Sequence, residues 1–217
     1  MTEIEKYGLL PTHTRLNYYE CYAKIVLESV FPELFNDLTI ADKPDLQSSK
    51  KNIGVEVTTS EEPAILEAQR LYSQLPCMNS EKIKKSIDRI KQCGAKYENE
   101  MLISSGIDNF DLVNKAVKTK TEKLQKTGYA ELKEYYLFVF SPISADNFML
   151  QEELDFLQRN RAGEYWKEIY VSVPGELYCF SFEKATYKKI SVTSELKMQY
   201  ALQARKMVEE GEQIGKT

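Results

Sequence analysis

Asp45 and Glu56 are the residues whose type and setting most clearly invite chemistry. Asp45 follows Pro44 at the start of a short extended run. Glu56 sits in the middle of Asn52–Thr59 (N-I-G-V-E-V-T-T), between Val55 and Val57. An unpaired carboxylate is costly to bury, so Glu56 must face solvent, a partner or a metal. Ten residues separate the two acids. Ser48–Asn52 between them has the composition of a tight turn, so a hairpin can bring both carboxylates to one place. Converging carboxylates repel one another, and a hard divalent cation relieves that repulsion; an all-oxygen site suits Mg2+ or Mn2+. Such an ion polarises a phosphodiester and activates water without help from histidine.

The rest of the composition is consistent with that chemistry and excludes several others. The 217 residues include one histidine, His13, expected on the surface ahead of the first helix. A multi-histidine zinc site and a two-histidine nuclease centre are therefore ruled out, and a serine or cysteine triad would have to use His13 as its base. The four cysteines (Cys21, Cys77, Cys93, Cys179) are scattered, which reads as free thiols in a reducing compartment. No run approaches the ~18 apolar residues of a membrane span, and the charged Met1–Lys6 lacks the apolar stretch of a signal peptide. The expectation is a cytoplasmic protein. The net charge of −4 gives no global nucleic-acid footprint. Lysine and arginine nevertheless gather in Lys82–Lys96 and again at Lys115, Lys118, Lys120, Lys123 and Lys126. Each run reads either as a solvated helix face or as a phosphate-facing surface.

The elements that must position these residues follow from periodicity. Arg15–Val30 reads as a helix, with Leu16, Tyr19, Ala23, Val26, Leu27 and Val30 at helical spacing and Thr14 as cap. Leu38–Ala41, Asp45–Ser48 and Asn52–Thr59 read as strands. In the last, Ile53, Val55 and Val57 alternate with Gly54, Glu56 and Thr58. Ser60, with Pro63 in the first turn, opens a helix to Gln74, and a basic helix covers Ser80–Gln92. Asp108–Gln125 is a further helix. Tyr135–Phe140 is a strand covered on both faces. Asn147–Arg159 is helical, Glu168–Val173, Leu177–Phe182 and Lys188–Val192 are strands, and Ser194–Glu210 is a final helix ahead of a frayed tail. Lys96–Ile107 has no clear pattern. The order implies one α/β domain over residues 1–217 with a central mixed sheet.

Pro44-Asp45, a spacer, then Glu56-Val57-Thr58 resembles the signature of the PD-(D/E)XK, or restriction-endonuclease-like, phosphodiesterases. That resemblance implies an αβββαβ core, here residues 15–141, with 142–210 as additions. It also implies a first-helix acid within E-x-x-A, matched by Glu20-Cys21-Tyr22-Ala23. By resemblance, Glu20, Asp45 and Glu56 bind Mg2+ or Mn2+ with the Val57 carbonyl, and Asp45 and Glu56 are catalytic. The family's lysine, two residues after the second acid, is replaced by Thr58. Some branches move it to a helix, for which Lys120 and Lys123 are candidates on one helix face. Thr58 and Gln69 become substrate-contacting candidates, and Tyr72 lies near Gln69.

The implied activity is metal-dependent hydrolysis of nucleic acid, DNA before RNA, with a homodimer as the form that cuts two strands. Two other readings stay open. One is a catalytically inactive relative serving as a nucleic-acid-binding or protein-interaction module, motivated by Thr58. The other is an α/β interaction protein in which the acids are incidental. Taken singly, Glu20 is an ordinary helix acid with Glu28 as its rival. Asp45 is an ordinary turn residue, and Glu56 is tolerable on an exposed edge strand.

Overall fold

A computed structural model describes residues 10, 14–98, 101–103, 108–126 and 128–214. His13 lies outside them. The chain divides into two compact units, a larger one containing Thr12–Ser60 and Asp108–Thr217 and a smaller one containing Glu61–Ile107. No composition shift marks that division in the sequence.

The larger unit is α/β, built on a seven-stranded mixed sheet with flanking helices. Helix α1 (Tyr18–Val30) and the short α2 (Pro32–Phe35) precede β1 (Thr39–Ile40), β2 (Leu46–Ser48) and β3 (Ile53–Thr59). These three strands form an antiparallel meander. After the smaller unit come α5 (Asp111–Leu124) and β6 (Glu134–Phe140), which lies parallel to β3. Then follow α6 (Asn147–Arg159), β7 (Glu168–Val173), β8 (Glu176–Ser181), β9 (Thr186–Ser191) and α7 (Ser194–Ile214). The sheet order is β1-β2-β3-β6-β7-β8-β9, with β6 and β7 parallel and the last three strands antiparallel.

Both faces of the sheet are covered, which is why Tyr135–Phe140 is a continuous apolar run. On one face Leu137, Val139, Ile169 and Val171 meet Val113 and Val117 of α5 and Leu150, Leu154 and Leu157 of α6. On the other, Phe31 and Phe35 lie against Tyr170, and Tyr19 and Tyr22 against Phe140. Trp166 is fully buried, and its indole N–H donates to Thr121 Oγ1 at 2.8 Å, fixing the rotation of α5 near its end.

The smaller unit packs α3 (Pro63–Gln74) on α4 (Ser80–Gln92) and adds a hairpin of β4 (Lys96–Glu98) and β5 (Met101–Ile103). Ala68, Leu75, Ile90, Cys93 and Ala95 form its core, joined by Tyr72. The hairpin occupies the segment whose sequence has no clear period. Its short strands carry little alternation, and pairing with each other rather than local pattern holds them extended.

Several local expectations are corrected. Asn17 caps α1 in place of Thr14, its side chain accepting from the Tyr19 N–H, while the Thr14 hydroxyl donates to the Leu16 carbonyl. Ser60 does not cap α3. It is buried, and its hydroxyl donates to the Phe140 carbonyl at 3.2 Å, tying β3 to β6. α7 continues beyond Gly211 to Ile214, and Gly211 approaches Leu16 closely there. Cys21, Cys93 and Cys179 are buried free thiols. Among the described residues no helix is long and apolar enough to cross a membrane.

Candidate active site

β3 lies inside the sheet between β2 and β6, so the edge-strand explanation of Glu56 does not apply. Glu56 pairs across to Leu137 on the face covered by α5 and is only 2% exposed. Asp45 directly precedes β2. Leu46 is registered with Val55, so the same register carried back one residue sets Asp45 opposite Glu56. The hairpin therefore brings the two acids together.

Close backbone approach fixes Asp45. The Pro44 ring lies over Gly54, where a Cβ would stand 2.3 Å from Pro44 Cγ and 2.7 Å from Leu132 Cδ1. Only glycine leaves that space. The Gln47 amide donates to the Pro44 carbonyl at 3.2 Å, and Asp45 Oδ2 accepts from the Val57 N–H at 2.7 Å. Val57, expected to offer its carbonyl, thus uses its N–H to orient Asp45.

The helix lysine comes from α5. Val113 and Val117 face the core, and Lys120 follows Val117 at the next turn of that face. Its ammonium donates to Glu56 Oε2 and lies 3.5 Å from Asp45 Oδ2. The Lys120 side chain is 14% exposed. Lys115, Lys118, Lys123 and Lys126 are exposed, so the run that looks uniform in sequence splits into one site residue and a solvated face. Lys82, Lys84, Lys85, Arg89, Lys91 and Lys96 of the smaller unit are exposed throughout.

Tyr129 is a site residue that sequence spacing does not single out. It follows Gly128, whose φ of 104° turns the chain after α5. Its hydroxyl lies near enough to Glu56 to favour the ionised carboxylate. A lone tyrosine in a loop carries no periodic signal, and only the fold brings it to the acid.

Glu20, in the first turn of α1, joins the same electrostatic cluster. Its carboxyl is pushed up to about 7, first by burial and then by the Asp45 charge. Lys120 opposes that rise, and Glu56 and Asp42 add to it. Burial also raises Glu56, against the hydrogen bond from Lys120. The Tyr129 hydroxyl is raised by burial and then by Glu56. Glu28, the rival acid on α1, pairs with Lys24 at 2.5 Å. Thr58 shares the Glu56 face by strand alternation, is half-buried and brings no charge. Gln69 belongs to the smaller unit, where its amide donates to Glu61 at 2.8 Å.

Glu20 feels the charges of Asp45, Glu56 and Asp42, Glu56 feels that of Asp45, and Lys120 opposes the rise of both glutamates; oxygen donors of this type suit a hard cation. As the side chains stand, no group of three acidic, histidine or cysteine residues among the described residues is placed to hold one ion. Asp45 and Glu56 share the Lys120 ammonium instead. The chain matches no protein-family model, no curated protein and no solved structure.

Proposed function

We propose that the larger unit is a PD-(D/E)XK-type phosphodiesterase that hydrolyses nucleic acid, DNA before RNA. The observation that carries this reading is the contact of a helix lysine, Lys120, with Glu56 and Asp45. It puts an ammonium beside the paired acids, the charge that Thr58 cannot supply. The element order supports the finer fold assignment: α1, the β1–β3 meander, α5 and parallel β6 follow the αβββαβ sequence.

In this reading Mg2+ or Mn2+ is held by Asp45, Glu56 and Glu20 with the Val57 carbonyl. Such an ion supplies Lewis acidity and a more acidic bound water. The chain's own residues do the rest. The Val57 N–H and the Pro44–Gly54 contact hold Asp45 in place. The Tyr129 hydroxyl favours the charged form of Glu56. Lys120 keeps Glu56 ionised despite its burial and offers positive charge to the phosphate as negative charge grows in the transition state. The ion and Lys120 compete for the same oxygens, so Lys120→Ala should bind Mn2+ more tightly while losing activity.

The test is Mg2+-dependent cleavage of mixed single- and double-stranded DNA and RNA. Asp45→Ala and Glu56→Ala should abolish turnover, and Lys120→Ala should lower it by on the order of 10²–10⁴. Lys123→Ala should stay within about threefold, as expected for an exposed charge. Equal activity in wild type, Asp45→Ala and Glu56→Ala would overturn the assignment.

A second reading rests on a specific observation. Lys120 already neutralises Asp45 and Glu56, and no three-acid group is in place. A closed ion-pair network of this kind fits a non-catalytic binding module. Calorimetry with Mn2+ separates the two: saturable binding lost in Asp45→Asn favours the enzyme, and its absence in wild type favours the module.

A further inference from the structure

A second buried glutamate lies outside that site. Glu153 is on the core-facing side of α6, beside Leu150, Leu154 and Leu157, and is 4% exposed. Asn114 of α5 donates its amide to Glu153 Oε2 at 3.1 Å. Glu153 Oε1 and Asn114 Oδ1 are both buried without a hydrogen-bond partner. Two adjacent acceptors left unmet inside a protein cost free energy, so each calls for a donor.

Both residues line a pocket of about 290 Å³ between α5 and α6. Among the described residues its lining also carries Asp108, Asp111 and Glu152, and one cation, Arg159, whose Nε donates to the Asp155 carbonyl. Phe156 adds an aromatic ring that is 40% exposed. Acids therefore outnumber bases around two unsatisfied acceptors, with an apolar surface beside them.

We propose that this pocket binds a small alkylammonium or guanidinium ion, with Glu153 and Asn114 as its acceptors. A metal ion fits less well, because among the described residues no three acidic side chains are placed to share one. An N–H cation needs only acceptors at hydrogen-bond distance, and its alkyl stem or charge can lie against Phe156. Burial leaves this carboxyl without a compensating charge. The Glu153 carboxyl is pushed up to about 8 by burial; the Asn114 hydrogen bond opposes that shift and Asp111 adds to it. Among the described residues no lysine or arginine pairs with this carboxylate, in contrast to the lysine that meets Glu56.

The test is calorimetric titration of the full chain with butylammonium, agmatine and capped arginine (N-acetyl-arginine methylamide), with n-butanol as the uncharged control. The expected result is saturable binding of at least one cation and none of butanol, weakened about tenfold or more by Glu153→Gln. Asn114→Ala provides a second variant should Glu153→Gln fail to fold, and the same weakening is expected there. Tighter binding of agmatine or butylammonium than of capped arginine assigns a free amine as the ligand, and the reverse order assigns a polypeptide side chain. Absence of saturable binding by wild type overturns the proposal. So does equal affinity in wild type and variant, or saturation by Mn2+ but by none of the organic cations.

Discussion

Glu56 and Glu153 are both glutamates removed from solvent within the larger unit, 2% and 4% exposed, yet their surroundings differ. Glu56 receives an ammonium from Lys120, with the Tyr129 hydroxyl near it and Asp45 held beside it. Glu153 receives a neutral amide from Asn114 on one oxygen and nothing on the other. Burial raises both carboxyls. Only Glu56 has an internal cation to oppose it. The difference teaches what a buried acid is for: Glu56 is arranged to stay charged, whereas Glu153 waits for a donor or stays protonated.

Breaking the Glu56 arrangement should have the largest effect. Lys120→Met removes the cation from a carboxylate that is only 2% exposed. Loss of one partner from a buried pair costs about 3–5 kcal/mol, mostly as the penalty on the charge left behind. Urea denaturation at pH 7 should show that loss, and Lys120→Met/Glu56→Gln should recover much of it. A single-variant loss below about 1 kcal/mol, in the range of a surface pair, would mean that Glu56 is not held as an ion by Lys120.

The same measurement as a function of pH addresses Glu153. Its carboxyl titrates at about 8 in the fold against an ordinary 4.5. Between those values the folded chain binds more protons than the unfolded chain, so stability falls as pH rises through the window and levels off above it. Glu153→Gln removes this slope. The variant should gain on wild type by roughly 3–5 kcal/mol between pH 4 and pH 9. Glu20, raised to about 7, gives a slope of the same sign in both proteins, so the difference between them isolates Glu153. Parallel profiles would show that Glu153 is already charge-compensated.

Much of this architecture is legible in the sequence because periodicity survives wherever one face is buried. Asn147–Arg159 and Glu168–Val173 have the same limits in the structure as in their hydrophobic pattern. The pairing of Asp45 with Glu56 follows from the turn between them. The choice between Lys120 and Lys123 does not follow, because residues three apart share a helix face. It is decided by how far α5 extends past the end of the core and by the Trp166–Thr121 bond that sets its rotation. Glu56 itself looks like a polar position on an alternating strand. It is buried because β3 is central and α5 covers that face, which is tertiary information. Gly54 looks like a weak strand residue until the Pro44 ring is seen against it. Asn114 and Glu153 lie 39 residues apart in the chain, on different helices, and nothing local links them.

The smallest effect expected here sharpens the comparison from the side of Glu56. Tyr129 places a hydroxyl near that carboxylate and favours its ionised form, whereas the free oxygen of Glu153 has no hydrogen-bond partner. Tyr129→Phe keeps the ring and removes the hydroxyl, so it isolates that polar contact; a hydrogen bond to a charged acceptor is worth about 1.5–3 kcal/mol when buried, and a looser contact from a half-buried tyrosine less. The expected loss is therefore about 1 kcal/mol, below that of Lys120→Met. The removed hydroxyl favours ionised Glu56, so the Glu56 titration followed by carboxyl NMR should move upward in the variant. An unchanged titration would mean that Lys120 alone keeps Glu56 charged, and that the contrast with Glu153 rests on one cation rather than on a network.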